Sequence, residues 1–316
     1  MENVQNNLEK SILATIAYFD IFNYPLTEVE IWKWLYKISD FRFQISDLNF
    51  QSSEDSLLEI QKILENSEII KSLVGAAEGF YFFKNREELA EIRERRYVLA
   101  EKKLKRAKRI AGFLKFIPGI EMIAVCNSLA WTNAREESDI DFFIVTTPNK
   151  IWTSRFMAAG FLQLFGLRPS KKNTRDKICL SFFVDENSLN LEPLAVGRSD
   201  VYLIYWIAQL LPLYDCGGVY QKFWQANAWI KNFLPNVFPR DAGKALQKVS
   251  QSDIASGGLS EKFFRGLQMK LLPKNLKEMA NRDSRVVITD KILKFHANDR
   301  REEYKKKWEE KISNWL

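Results

Sequence analysis

Between Leu8 and Phe19 the apolar residues fall at Leu8, Ile12, Leu13, Ile16, Ala17 and Phe19, returning to one face of a helix, and the pattern stops before Asn23-Tyr24-Pro25. Residues 6–19 therefore predict a first helix. Thr27 followed by Glu30 is a capping-box pattern that opens a second helix through about Tyr36, and Ser53 or Ser56 caps a third running to about Glu65. The polar, irregular 41–55 stretch reads as a loop insertion. Ile69-Ile70-Lys71, a tip holding Gly75 and Gly79, and the run Phe80-Tyr81-Phe82-Phe83 predict a β-hairpin. Over residues 86–115, Leu89, Ile92, Leu99 and Ile110 recur among charges such as Glu88 and Arg95, which predicts one long helix. Beyond it come a strand (Met122–Val125), a turn at Asn127-Ser128, a short helix (Leu129–Asn133), a polar loop (Ala134–Ser138) and a strand (Asp139–Thr146). Lys177–Val184 predicts a further strand, and Ser199–Leu211, Gln221–Phe233 and Leu259–Ala280 predict helices. Phe295–Arg301 and the lysine-rich tail through Lys311 read as a solvated end helix.

These elements give an α+β chain in four segments: a module of three helices and a hairpin (1–85), a basic connecting helix (86–118), a small mixed-sheet core (119–190) and a helical domain (191–316). Three helices followed by a hairpin is the winged-helix order. Such modules often bind DNA, but the helix from Ser56 to Glu65 offers Lys62 against Glu59 and Glu65, with Glu54 and Asp55 just before it. Phosphate affinity comes from cations, so this surface repels a duplex, and a packing or dimerisation role, a homodimer through this module, is the better expectation.

The net charge of +7 is unevenly spread: residues 1–85 hold 7 Lys/Arg against 13 Asp/Glu, a net −6 that leaves +13 on the rest. Residues 86–115 hold 11 Lys/Arg and 5 Asp/Glu. A charge-laced connecting helix explains that stretch, and contact with a nucleic-acid backbone is the sharper alternative. No apolar run approaches the ~18 residues needed to span a bilayer, and the stretch Met157–Leu167 reads as a buried helix. Glu2 and Glu9 stand where a secretory signal carries lysines, and the apolar Ile12–Phe19 ends in Asp20, so the expected location is the cytoplasm. Cys126, Cys179 and Cys216 are odd in number and widely spaced, which suggests neither a disulfide framework nor a metal knuckle. The single histidine, His296, lies far along the chain from any candidate nucleophile, which disfavours hydrolase triads and leaves carboxylates as the groups to examine.

Residues i and i+2 of a strand share a face, so Asp139 and Asp141 present two carboxylates side by side while Ile140 and Phe142 point into the core. Two adjacent carboxylates repel each other unless a cation lies between them, and Mg2+ is held by one or two carboxylates plus substrate phosphates. Acids at a strand end that cap a loop or pair with Arg135 are the plainer alternative.

Asn127-Ser128, ten intervening residues and then Ser138-Asp139-Ile140-Asp141 resemble the signature of the polymerase β superfamily of nucleotidyltransferases over residues 119–190. That signature is Gly-Ser or Gly-Gly at a helix start, followed by Asp-x-Asp on a strand. With the preceding module and basic helix, the whole chain resembles uncharacterised bacterial nucleotidyltransferase-domain proteins. The resemblance implies that Asn127 and Ser128 cradle a nucleoside triphosphate, that Asp139 and Asp141 bind Mg2+ or Mn2+, and that a nucleotidyl group passes to a hydroxyl acceptor: nucleic acid, protein or small molecule. It also implies a third carboxylate on the Lys177–Val184 strand. Alternation puts Lys177, Cys179, Ser181, Phe183 and Asp185 on one face, so Asp185, about 13 Å beyond Ser181 at ~3.3 Å per residue, is the acid left for that catalytic role. Asn127 stands where the family has glycine; it tolerates the left-handed backbone but adds a side chain where phosphate approaches. With these departures, a degenerate fold acting as a regulatory or protein-interaction module is the alternative expectation. Tyr202, Tyr205, Trp206, Trp224 and Trp229 offer faces for stacking a base, although an aromatic helical face is more often core.

Overall fold

Helix α1 (Glu2–Asp20) buries Leu8, Ile12, Leu13, Ile16, Ala17 and Phe19, the face that their spacing predicts. The computed structural model describes residues 2–38, 53–170, 172–197, 199–241, 246–247 and 258–313, and among these the chain forms twelve α-helices and two sheets, an α+β arrangement. Most of the 41–55 stretch lies outside the described residues.

Helix α2 (Glu28–Lys33) is opened by the reciprocal capping box: Glu30 N donates to Thr27 Oγ1 at 3.2 Å, and Thr27 N donates to Glu30 Oε2 at 3.0 Å. It stops short of Tyr36 because other elements take the next amides. Tyr36 N donates to Thr15 Oγ1 at 2.8 Å, and Lys37 N donates to Phe233 O at 2.7 Å. After α3 (Ser53–Asn66), Ile69-Ile70-Lys71 is helical and not part of the expected hairpin: it lies in α4 (Glu68–Leu73), where Ser67 accepts from Ile70 N as N-cap. The hairpin follows as β1 (Val74–Ala77) and β2 (Phe80–Phe83). Its turn residues Glu78 and Gly79, at φ 55° and 78°, supply the two left-handed positions that a tight hairpin turn needs.

Helix α5 (Glu88–Leu114) has 27 residues, which makes it about 40 Å long at 1.5 Å per residue. Its cations divide between two roles. Lys102, Lys105, Lys108 and Arg109 face solvent, whereas Arg93 and Lys103 are buried. Lys103 Nζ donates to Glu136 O at 3.1 Å, Ser138 O at 2.7 Å and Asp176 Oδ1 at 2.6 Å, and so braces the loop that leads into the next strand pair.

Strand β3 (Ile120–Val125), helix α6 (Asn127–Ala130), strand β4 (Ile140–Thr146), helix α7 (Ile151–Leu164) and strand β5 (Ile178–Asp185) form the centre of the larger sheet and its connections. Downstream come α8 (Val201–Gln209), β6 (Leu211–Asp215), α9 (Val219–Ala226), β7 (Leu246–Gln247), α10 (Gly258–Leu271) and α11 (Lys274–Met279). The last elements are β8 (Val286–Ile288), β9 (Ile292–Phe295) and α12 (Arg301–Ile312). The sheet order is β7-β6-β3-β4-β5-β9-β8, with β3 antiparallel to β4 and β4 parallel to β5. Residues 191–316, expected to be helical, thus supply four of its seven strands as well as helices.

Strand β4 is covered on both faces: Phe142, Phe143, Ile144 and Val145 are all fully buried. At roughly 1.5–3 kcal/mol for each large apolar side chain buried, these four residues outweigh the cost of crowding two carboxylates at the strand's start. Phe143 packs edge-on against Trp206 of α8, with ring centroids 5.4 Å apart. The two ends of the chain meet on the far side of α8: Tyr205 Oη donates to Trp34 O at 2.8 Å, and Trp308 Nε1 donates to Ala14 O at 2.9 Å. Among the described residues no helix is long and apolar enough to cross a membrane.

Candidate functional site

Asp139 immediately precedes β4 and Asp141 is its second residue, while Ile140 and Phe142 are fully buried. The alternation read from the sequence therefore holds. On the neighbouring parallel strand, Cys179 sits level with Asp141. Ligand atoms of Asp139, Asp141 and Cys179 all lie within 4.8 Å of one another. The position facing the two acids from β5 is a thiol.

Asp185 is not there. It lies level with Thr146 at the opposite end of the two strands, six residues beyond Cys179, which is roughly 20 Å at ~3.3 Å per residue. Alternation put it on the face of Cys179, but a register shift on β5 pairs it with Thr146, whose parity on β4 is opposite to that of Asp141, so both distance and face separate it from the acids. A register shift between Asp141 and Phe143 also breaks strict alternation on β5, so that Cys179, Ser181 and Phe182 all line the same cleft.

Burial, reinforced by the charge of Asp141, pushes the Asp139 carboxyl up to about 6. Burial also raises Asp141, against the opposing pull of hydrogen bonds from Asn127 and Cys179. The Cys179 thiol is raised by burial and by the nearby Asp141 charge, so it stays protonated at neutral pH and acts as a donor. No ion pair joins Arg135 to either acid among the described residues, and the pair is left to other partners.

Asn127 has φ +55°, the left-handed conformation that its place in the turn requires. Its side chain does not fold back on its own backbone. Nδ2 donates to Asp141 Oδ2 at 2.8 Å, while Oδ1 accepts from Trp206 Nε1 at 2.9 Å and from Tyr202 Oη at 3.2 Å. The amide is thus fixed between the aromatic wall of α8 and the acid.

A cleft of about 640 Å³ opens over Asp139, Asp141, Cys179, Ser181 and His296. A second cavity of about 290 Å³ lies beside it, lined by Ser128, Arg135, Ser138 and Gln209 among others. Asn127, Tyr202, Trp206, Arg300 and Tyr304 border both. Of the five aromatic residues considered for base stacking, Tyr202 and Trp206 line these cavities, whereas Tyr205 and Trp224 are buried core.

The roof of the cleft is the segment Phe295–Arg301, which the sequence reads as a solvated end. Its buried charges are satisfied internally: Arg301 pairs with Asp200 at 2.9 Å and Asp299 at 2.8 Å, and Asp299 also pairs with the adjoining Lys294 at 3.4 Å. That network brings His296, remote in sequence, to 3.0 Å from Ser181 Oγ. Burial and the Lys294 charge push its imidazole down to about 3, so it is neutral at physiological pH. Nothing in the local sequence around residue 296 signals this position; only the strand pairing of β9 with β5 creates it.

Comparison of the chain with protein-family models, with curated proteins and with solved structures finds no match.

Proposed function

We propose that this cleft is the site of a Mg2+-dependent nucleotidyltransferase-like protein that moves a nucleotidyl group from a nucleoside triphosphate to a hydroxyl acceptor. The observation that carries the reading is the Asp139–Asp141 pair, two carboxylates with raised proton affinity at the start of a buried strand, facing a cleft beside the Asn127-Ser128 turn. A mixed sheet in which the acid-bearing strand lies between an antiparallel and a parallel neighbour, with a short helix after the first, supports the resemblance seen in the sequence.

The donor set fits a small hard cation. Asp139 and Asp141 supply oxygens within reach of one point, and phosphate oxygens of the substrate complete the shell; Mn2+ suits the same ligands. When bound, the cation neutralises charge on the phosphates and polarises them toward attack. The chain's own residues do the positioning. Asn127 fixes Asp141, Lys103 fixes the loop before Asp139, and Tyr202 and Trp206 wall the cleft. In the transfer, an oxygen–phosphorus bond forms at the α-phosphate as the bond to the departing pyrophosphate breaks, and the acceptor's proton passes to water in the open cleft.

Melting the protein with Mg2+ or Mn2+ and a nucleoside triphosphate tests this, because a ligand that binds only the folded state raises Tm. Asp139→Asn with Asp141→Asn abolishes the shift; an unchanged shift in the double variant removes these acids as the cation site.

One observation favours a second reading. The third position holds the protonated thiol of Cys179, and a thiol cannot replace a carboxylate on Mg2+. On this reading the protein binds nucleotide without transferring it and acts as a regulatory or protein-interaction module through its winged-helix-like N-terminal segment. Titration calorimetry with Mg-ATP, run beside an assay for transfer of labelled nucleotide, separates the two.

A further inference from the structure

The two cavities meet at a partition of five residues, and Arg300 is the cation among them. Lys294 and Arg301, which also line the larger cleft, are nearly fully buried and already neutralised by Asp200 and Asp299. Arg135, on the smaller cavity, is exposed and makes no ion pair among the described residues. Two cations near the partition are therefore not committed to the interior.

Arg300 has a partner that it can exchange. Its guanidinium makes a two-pronged contact with Glu303, Nε to Oε2 at 2.7 Å and Nη2 to Oε1 at 2.6 Å, and both side chains are more than two-fifths exposed. Exposed pairs of this kind contribute little net stability, and the guanidinium fork that matches a carboxylate matches a phosphate equally well. Glu303 is not stranded if Arg300 leaves, because Lys307 Nζ also donates to it at 2.7 Å.

We propose that the smaller cavity is a polyphosphate subsite, with Arg135 and Arg300 as its cations, and that Glu303 holds Arg300 back until phosphate displaces it. The assignment rests on the nucleotide reading above and deepens it: the smaller cavity, which holds the Ser128 side of the turn, takes the outer phosphates, the α-phosphate reaches past Asn127 to the Asp139–Asp141 pair, and the rest of the larger cleft is left for the acceptor. Charge favours this division, since the smaller cavity's lining includes Arg135 and Arg300 and no carboxylate.

Titration calorimetry with inorganic tripolyphosphate and with ATP, both in Mn2+, tests it on the full chain. Arg300→Gln should weaken tripolyphosphate binding about tenfold, the usual effect of removing one charge-assisted contact, and Arg135→Gln should act in the same direction. Glu303→Gln should tighten binding several-fold, and this gain cannot arise from a damaged fold. If Arg300→Gln and Glu303→Gln leave tripolyphosphate affinity unchanged, or move it the same way, while Asp139→Asn with Asp141→Asn still abolishes ATP binding, the arginine assignment is overturned and the cation site stands. If the native protein binds neither ligand at millimolar concentration, both readings fall.

Discussion

Asn127 donates its side-chain amide to Asp141 from a backbone held at φ +55°, so one residue both makes the left-handed turn and fixes the second acid. Substituting it separates two effects. Asn127→Gly keeps the left-handed turn accessible but removes partners from Asp141, Trp206 and Tyr202, and should lower stability by roughly 1–3 kcal/mol. It also clears the space beside Ser128, so Mg-ATP affinity should be kept or improved despite the lower Tm. Asn127→Ala should lose both, because alanine in this conformation adds about 1–2 kcal/mol of strain. Calorimetry and thermal melts on the two variants check this; nucleotide binding lost in the glycine variant would mean that the amide is itself a ligand.

Asp139, pushed up to about 6 from an ordinary value of 3.8, sets a pH window. Above about 6 it is ionised in both folded and unfolded chains, and the cost of its buried charge opposes folding in full. As pH falls from about 6 toward 3.8 the folded state takes up the proton first, and stability is recovered. On the proposed reading, a cation at this site competes with that proton. The Tm increase caused by Mn2+ should therefore be large at pH 7.5 and fade toward pH 5, and Asp139→Asn should stabilise the metal-free protein at pH 7.5 but not at pH 4. A cation-induced shift that does not depend on pH would contradict the site.

His296 works in the opposite direction. Pushed down to about 3 by burial, it is neutral when folded, while the unfolded chain takes a proton near 6.5. Its contribution to stability is complete above 6.5 and is lost as pH falls toward 3. His296→Gln, which keeps a polar partner for Ser181, should flatten the decline in Tm between pH 6.5 and 4 relative to the native protein; an identical slope would place the acid sensitivity elsewhere.

The parts of the fold that were legible in the sequence depend on short-range rules. The Thr27–Glu30 box, the apolar run Phe142–Val145 and the parity of Asp139 and Asp141 need only neighbours within a turn or a strand. Long-range pairing hid the rest. Leu211–Asp215 begins two residues after the end of α8 and holds Pro212, so the sequence reads as a helix closing at Leu211, with no strand assigned there. Ile292–Phe295 is only four residues long and carries Lys294, whose buried charge is answered by Asp299. The choice of Cys179 over Asp185 as the residue facing the acids follows from register, which alternation alone does not fix.

Lys103 shows the same limit on a helix that reads as a charge-laced connector, since its ammonium is buried against two carbonyls and Asp176. Lys103→Ala should cost roughly 2 kcal/mol by leaving those acceptors unpaired, a figure kept low because Asp176 remains partly exposed. The loop it braces leads directly into Asp139, so the cation-induced Tm shift should shrink as well. Lys102→Ala, one residue away and exposed, should stay within about 0.5 kcal/mol of the native protein and keep the shift. Equal effects from the two substitutions would deny Lys103 a positioning role.

Cys179 decides between transfer and binding alone. Its ligand atom lies within 4.8 Å of those of both acids, so Cys179→Asp would place a third carboxylate in the cluster. In the metal-free protein three crowded acids repel, and stability at pH 7.5 should fall by roughly 1–3 kcal/mol. Mn2+ should more than offset this, with a larger cation-induced Tm shift than in the native chain. Cys179→Ser keeps a neutral donor toward Asp141 and is the control for thiol chemistry. If the native protein is a working transferase, labelled nucleotide is transferred by the native and serine forms alike, because the protonated thiol supplies nothing that a hydroxyl lacks. If the chain is a binding module, both forms bind Mn-ATP without transfer, and hydrolysis or transfer of the nucleotide emerges only in the aspartate form. An aspartate variant whose cation affinity is no higher than native would show that position 179 does not face the bound ion, and would remove it from the site under either reading.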